Sequence, residues 1–588
     1  MNATVTALPG LELNPVGAQT APRSGSRSAR MLFPPAKEVL RDIAREAGLC
    51  LRPLALRRTD TATGKTEILE VPCGARLASK CAPCAEKNRK LRLQQLREGW
   101  HLPEEPATEP RPASEEERWL ISYRAELEWE RAALMVTPMD PDERAAKLAD
   151  LDQGVDQVAA QIAQCGLRGT LPTATAKKTT ARKRSTKRRQ DVGDLPRVKV
   201  DRRTVGKVYA SRDGKTHRPS MLLTVTLDSY GPVHSPRRAN RPVCECGSTH
   251  HPDDPKVGTP VDPSTYDYRR AALDAIHFAR LTDRLWQNLR RAAGFNIQYG
   301  GCVELQRRLA PHGHFAIRGT IPRALVKRVA EGTYHQVWWP AHDNLVHSQD
   351  APPRWCPDAQ AWTDPNTGAV LDMVAWDDAL DALDQDDAEP AHVVRCGRVD
   401  PRGVKSGSKD AERTIRYVTK YLTKDITEHV TPSHDAQRAH FDRMHAELSV
   451  LPCSTTCANW LLYGIAPKNA SPTLRPGHCR GKVHQRQTLG FTGRRVLISR
   501  KWSNKTLTDH RDDNRAWVRA LLELPDDDQG DNKASRFEYE LCRHDDPDLD
   551  PEGVRLMRAI TIRAGWKQQI QQARQRLEEL SATGQEAA

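Results

Sequence analysis

Apolar and polar positions alternate along this chain in two rhythms, one of period near 3.6 and one of period 2, separated by long polar stretches. Ala36–Glu46 carries helical spacing and predicts a short amphipathic helix, and dense Ala, Leu, Glu and Arg after a Pro/Glu linker predict helix within 105–165. From about residue 195 the texture changes. Ser220-Met221-Leu222-Leu223-Thr224-Val225-Thr226-Leu227 is apolar with alternating threonines and predicts a strand. Tyr268–Ala293 reads as one long helix, Phe295–Glu304 and His314–Arg318 as strands flanking an Arg-rich turn, and Ile321–Val329 as a helix. Residues 350–410, broken by Asp, Pro and Gly, read as loop, and a helix over Arg413–Lys424 closes the unit. Strand, long helix, two strands and helix predict an α+β fold with an antiparallel sheet and flanking helices. The chain after 510 is helical and charged and ends in an amphipathic segment, Gly565–Leu580.

These changes of texture divide the chain into a disordered Pro/Gly/Ser/Ala-rich leader (1–34), a cysteine-bearing module (35–104), a helical segment with a basic linker (105–194), the α+β unit (195–430), a second cysteine-bearing module (431–510) and a charged helical tail (511–588). A chain of 588 residues has room for two to four folded units. The net charge of +14 favours a polyanionic partner, nucleic acid first. No run of about eighteen apolar residues exists to span a membrane, and the N-terminus lacks the apolar core of a signal peptide. A cytoplasmic setting follows, in which the fourteen cysteines are reduced and clustered ones hold metal rather than form disulfides. No phosphate-binding GxxxxGK[ST] loop is present. Gly477–Val483 approaches it but fails in spacing and last residue, which argues against an intrinsic ATP-driven helicase.

The densest basic run lies at 177–189 and includes Arg182, Lys183, Arg184 and Arg188. It reads equally as a solvated linker and as a flexible arm making sequence-independent phosphate contacts. The chemistry-bearing residues lie further on. In a helix over 413–424, Tyr417 and Tyr421 share one face, and Lys420 and Lys424 form a second pair at the same spacing. Tyrosines at this spacing are often packing residues, but Arg413, Arg416, Lys420 and Lys424 suit an apolar seat poorly and suit phosphates well. His312 and His314 flank one residue, so a strand projects both to the same face, and a hairpin would bring Glu304 alongside. Two imidazoles and a carboxylate form a mixed N/O set suited to Mn²⁺ or Mg²⁺. A phenol with pKa near 10 needs such help, because neighbouring cations and a metal-bound phosphate favour the phenolate as it forms.

The cysteines fall into clusters. Cys73, Cys81 and Cys84, with Cys50 upstream, have the makings of a four-thiolate structural Zn²⁺ site. Cys453, Cys457, Cys479 and His484 suggest a second, with His478 as the alternative fourth ligand, followed by a basic stretch. Cys244 and Cys246 with His250 and His251 are a weaker third set, and Cys165, Cys302, Cys356, Cys396 and Cys542 read as ordinary thiols. Trp460 and Trp502, near many cations, either stack on bases or belong to the core.

The strand at 222–227, Tyr266-Asp267-Tyr268, Trp286-Gln287-Asn288-Leu289-Arg290-Arg291, Gln306–His314 and Tyr417–Lys424 together resemble the replication initiators of actinobacterial plasmids and integrative elements, members of the HUH endonuclease superfamily that act in rolling-circle replication. The resemblance runs from about Cys50 to His510, apart from 105–195. It implies a metal site of His312 and His314, with Glu304 as the candidate third ligand, and nucleophiles at Tyr417 and Tyr421, beside which Lys420 and Lys424 are read from their spacing and charge as assisting cations. Arg307, Arg308, Arg413 and Arg416 are read from their positions in the chain as candidate DNA contacts. The implied reaction is transesterification at a single-stranded or hairpin nick site of plasmid origin DNA. It leaves a 5′-phosphotyrosyl linkage and a 3′-OH primer, with a host helicase and replication proteins as partners. Gly313 departs from the bulky apolar residue usual between the two histidines, so an unfilled core socket is expected, with reduced stability or altered metal geometry rather than loss of chemistry. A conjugative relaxase or HUH transposase would use similar chemistry. A non-catalytic, zinc-dependent DNA-binding regulator would use the tyrosines and histidines for packing alone.

Overall fold

A computed structural model describes residues 35–100, 112–165, 193–201, 203–204, 209–210, 214, 216–217, 219–239, 242–384, 388–405, 408–420, 432, 434–522, 537–543 and 546–582, with Leu102, Leu167 and Leu171. They divide into two compact units, each discontinuous in sequence: 1–98 with 412–431 and 505–588, and 99–411 with 432–504.

The second unit is α+β and is built on a five-stranded antiparallel sheet. Its strands are β1 (Pro219–Val225), β2 (Gln298–Leu305), β3 (Pro311–Arg318), β4 (Val399–Lys405) and β5 (Val496–Ile498), in the order β4-β1-β3-β2-β5. The hairpin β2–β3 is pinned by a tight turn in which the Gln306 amide donates to the Ala310 carbonyl at 2.9 Å and the Leu309 amide to the Gln306 carbonyl at 2.8 Å. Leu309 adopts a left-handed φ of 63° there and is fully buried. That conformation costs a branched residue about 1 kcal/mol, a strain held in place by the packing of its side chain.

One face of the sheet packs on helix α1 (Tyr268–Ala293). The helix starts where the Asp267 side chain accepts from the Arg270 amide and stops at Gly294, whose φ of 71° favours glycine. Phe278, Leu281, Leu285 and Leu289 recur at helical spacing and are fully buried. Trp286 stacks on Tyr299 of β2 at 3.8 Å between ring centroids and meets Phe315 of β3 edge-on at 5.2 Å. Burying each such side chain contributes roughly 1.5–3 kcal/mol, so this interface is the core of the unit. Helix α2 (Arg323–Glu331) packs on α1 and β4.

The stretch 350–410, expected as loop, carries regular structure. It holds strand β4, a strand at His392–Arg395 paired with Tyr334–Val337, a hairpin of Arg354–Cys356 with Ala361–Thr363, and a short helix at Trp376–Asp381. Pro401 and Gly403 hide β4 in the sequence, but β4 is an edge strand, where both are tolerated. Of the segment 431–510, expected as a separate module, residues 432–504 complete the same unit. Helix α4 (Asp435–Val450) packs on α1, and β5 pairs with β2 through Val496 opposite Cys302. Trp460 and Trp502 are fully buried, so of their two readings the core is the one the fold selects.

The first unit pairs Leu54–Asp60 with Thr66–Val71 on one side and with Phe537–Leu541 on the other, so a strand from the expected tail completes the N-terminal module. Glu552, at the head of the helix Glu552–Ala582, takes ion pairs from Lys37 and Arg41 of the helix Ala36–Glu46. No helix among the described residues is long and apolar enough to cross a membrane.

Candidate active site

The β2–β3 register places Glu304 directly opposite His312 and Cys302 opposite His314. Strand alternation therefore brings Glu304, His312 and His314 to the sheet face away from α1. One donor atom from each lies within 4.8 Å of the others. His314 Nε2 is 3.2 Å from Glu304 Oε1, and the two imidazole rings stand edge to face at 4.4 Å. Thr224 of β1, paired with His314 across the ladder, holds His314 Nδ1 at 3.1 Å. That contact commits Nδ1 and leaves Nε2 aimed into the cluster, the arrangement by which an outer partner orients a ligating imidazole. His312 Nδ1 is buried without a hydrogen-bond partner. Burial first, and the His314 imidazole next, push His312 down to about 4. A neutral imidazole with an orphaned nitrogen, beside a second imidazole and a carboxylate, is a donor set that fits a divalent cation with coordination positions to spare.

Gly313 does not leave a socket. A Cβ there would lie 2.5 Å from the Phe315 ring, and one on Gly301, opposite Phe315 across the ladder, would lie 2.6 Å from it. The Phe315 side chain occupies the volume that a bulky residue 313 would take, and the expectation of a hole is corrected on that ground.

Helix α3 (Lys409–Lys420) starts at Ser408, whose hydroxyl accepts from the Ala411 amide. From Glu412 onward it belongs to the first unit, where Glu412 is paired with Arg97 at 2.6 Å. Its buried side carries Thr414, Ile415, Val418 and Thr419, and its exposed side carries Arg413, Arg416, Tyr417 and Lys420. Tyr417 is thus set among cations on a polar face, with 39% of its surface exposed. Tyr421 and Lys424, and the basic run with Arg182, Lys183, Arg184 and Arg188, lie outside the described residues.

Of the two arginines in the β2–β3 turn, Arg308 donates to the carbonyls of Asp228 and Leu227, both at 2.6 Å, and to Gln306. Those bonds tie the turn to the residues that follow β1 and use three of the five guanidinium N–H groups. Arg307 is exposed and donates one bond, to the Pro252 carbonyl at 3.1 Å.

Both principal cysteine sets converge. Cys50, Cys73, Cys81 and Cys84 have their sulfurs within 4.8 Å of one another, with Cys84 in the first turn of the helix Ala82–Trp100. In the other set Cys453 and Cys479 are 3.7 Å apart and Cys457 is 3.5 Å from His484 Nε2, close to the roughly 3.5–3.8 Å edges of a tetrahedral zinc site. His484 Nδ1 donates to the Leu448 carbonyl at 2.7 Å, which fixes its tautomer. A Cβ on Gly481 would meet the Cys453 sulfur at 2.9 Å, so the cluster requires glycine there. His478, the alternative ligand, is exposed and not part of the cluster.

The sequence matches the family described as replication initiator protein, pSAM2, over residues 36–215 and 204–562. The chain belongs to this RepSA family of replication initiators. A replication initiator protein of Streptomyces ambofaciens is 38% identical over 113 residues, which cover 17% of this chain and 24% of that relative. No solved structure matches the chain.

Thr224 was not singled out by sequence reasoning. Its signal was there, in the alternation of Thr224 and Thr226 along an otherwise apolar strand, which marks a polar face next to the histidines.

Proposed function

We propose that this RepSA-family chain initiates rolling-circle replication by nicking plasmid origin DNA through an HUH-type transesterification. The observation that carries the reading is the convergence of Glu304, His312 and His314, with Thr224 behind His314, on one face of an antiparallel sheet. These three residues would hold Mn²⁺ or Mg²⁺. The bound cation would polarise the scissile phosphodiester and orient it. Tyr417, on a face shared with Arg413, Arg416 and Lys420, supplies the phenolic oxygen, and those cations favour its ionised form. The oxygen attacks phosphorus, the bond from phosphorus to the 3′-oxygen breaks, and the phenolic proton ends on that 3′-oxygen. The products are a 5′-phosphotyrosyl linkage and a 3′-OH primer, and no nucleotide cofactor is consumed. Tyr421 would be the second nucleophile, and either of the two tyrosines could make the first attack with the other repeating it on the regenerated origin. Arg307 is the turn residue proposed to meet DNA, and Zn²⁺ in the two cysteine clusters would be structural.

The test is incubation with a labelled origin-strand oligonucleotide and Mn²⁺, followed by denaturing electrophoresis. A protein-linked DNA band is expected, lost in the double variant Tyr417→Phe/Tyr421→Phe and in His312→Gln. Nicking that survives the double tyrosine substitution overturns the nucleophile assignment.

A further inference from the structure

Between β1 and α1 the chain makes a long excursion, 226–267, whose described residues form no strand of the sheet. Four side chains gather within it: His234, Cys244, Cys246 and His250, whose donor atoms all lie within 4.8 Å of one another. We infer that they form a third structural zinc site, of Cys₂His₂ type, distinct from the two cysteine-rich clusters and from the carboxylate–histidine triad. A tetrahedral zinc with sulfur bonds near 2.3 Å and nitrogen bonds near 2.0–2.1 Å has ligand-to-ligand edges of roughly 3.3–3.8 Å. Here three edges fall just outside that range on either side: His234 Nδ1 is 3.2 Å from His250 Nε2, Cys246 Sγ is 3.1 Å from His250 Nε2, and Cys244 Sγ is 3.9 Å from His234 Nδ1, so loading would need shifts of a few tenths of an ångström.

The backbone holds the four ligands in place. The His234 amide donates to the Thr259 carbonyl at 2.9 Å, and its own carbonyl accepts from Gly258 at 2.8 Å. The Arg237 amide donates to the His250 carbonyl at 3.0 Å. Cys244 and Cys246 straddle a turn closed by the Gly247 amide on the Cys244 carbonyl at 2.9 Å, with Gly247 at a φ of 81°. The Ser235 amide points at the Cys244 sulfur from 3.4 Å. Asp254 Oδ2 accepts from His250 Nδ1 at 2.7 Å, which turns Nε2 towards the cluster and supplies the carboxylate–histidine–metal order common behind zinc ligands. Loading would release the two thiol protons, so that two thiolates balance the Zn²⁺ charge while both imidazoles stay neutral. His251, next in sequence and the more obvious partner by eye, is excluded. Its ring is exposed, and its Nδ1 accepts from the Asp253 amide.

The site has a mechanical consequence. The segment it closes abuts the β2–β3 turn, where Gly258, at a φ of 91°, comes so near Arg307 that a Cβ would lie 2.3 Å from the Arg307 Cβ. Arg307 in turn donates to the Pro252 carbonyl. A metal at this point fastens the loop against the turn that leads into His312.

Full-length protein purified without chelator and analysed for zinc by mass spectrometry is expected to carry about three equivalents per chain. Cys246→Ser and His234→Ala should each lose one of the three, and the combined variant should also lose only one. Wild-type zinc content in Cys246→Ser or in His234→Ala would overturn the site, whatever the occupancy of the other two clusters. Should those variants fail to fold, His234→Cys keeps four donors. It is expected to retain all three metals and, after Co²⁺ exchange, to show added thiolate-to-cobalt charge-transfer absorption. A Co²⁺ spectrum unchanged from wild type would equally sink the assignment.

Discussion

The triad on β2–β3 and the tetrad of Cys453, Cys457, Cys479 and His484 belong to the same unit, and both gather metal-ligating side chains. They are built to different ends. The tetrad brings four ligands, three of them thiols, from two loop segments with short 3₁₀ turns, Cys453 and Cys479 being 3.7 Å apart and Cys457 3.5 Å from His484, a set that would fill a tetrahedral zinc. The triad brings two imidazoles and one carboxylate from paired strands, with an orphaned nitrogen on His312 and a threonine steering His314. Ligands on a rigid sheet are placed by the ladder whether or not a metal is bound. Ligands on a loop depend on the metal to hold the loop. On the reading proposed above, the difference would separate a site for exchangeable chemistry from one for stability.

That contrast breaks first where the metal would carry structure. Cys457→Ser is expected to lose one zinc and about 5 kcal/mol of stability, read by zinc content and thermal unfolding. Unchanged zinc content would remove the tetrad from consideration. His312→Gln is expected to do the reverse, lowering metal-dependent nicking roughly 10³-fold with stability altered by less than about 1 kcal/mol. A large loss of stability would mark His312 as a packing residue.

A buried imidazole outside every cluster supplies the control. His440 on α4 takes its Nδ1 contact from Tyr268 at 2.8 Å, has its Nε2 buried without a partner, and is pushed down to about 3 by burial. Its ordinary value, near 6.5, describes the unfolded chain, so below that pH the unfolded state takes up a proton that the folded state refuses. Its contribution is intact above pH 6.5 and is lost as pH falls towards 3, reaching about 3 kcal/mol by pH 4. Denaturant unfolding of wild type and His440→Gln across that window should show the slope in the first and its loss in the second.

On the α1 face, Gly313→Leu is expected to cost about 2 kcal/mol by forcing a side chain into the Phe315 ring. A neutral or stabilising result would show that Phe315 vacates the space and that the gap was real. The smallest effect is expected from Thr224→Val, which frees His314 Nδ1 and should weaken Mn²⁺ binding roughly tenfold, measured by calorimetry.

Much of the sheet-and-helix layout was legible in local pattern. Tyr268–Ala293 announces itself through Asp267, Gly294 and a repeating apolar stripe, and the helix at 36–46 falls at its expected bounds. The flanking strands differ from expectation by a few residues at their ends. Edge strands were not legible. Val399–Lys405 carries Pro401 and Gly403, and Phe537–Leu541 lies in a charged tail, because an edge position imposes little on composition. The candidate site was visible as far as alternation reaches: two histidines one residue apart, and a carboxylate on the strand before. His234 was invisible as a companion of Cys244, since no periodicity links residues ten apart in an irregular loop.

By itself the sequence determined the elements whose stabilisation is local, namely the capped helices, the alternating strands and the clustered thiols, because spacing alone fixes which side chains share a face. It also determined the strong positive charge and the family. Tertiary structure alone decided which strands lie side by side, that Phe315 fills the space over Gly313, that Arg308 donates to two carbonyls, and that His234 closes a fourth corner. Those outcomes depend on residues far apart in the chain meeting in a close-packed interior, where volume and hydrogen-bond partners are settled only once the whole unit has assembled.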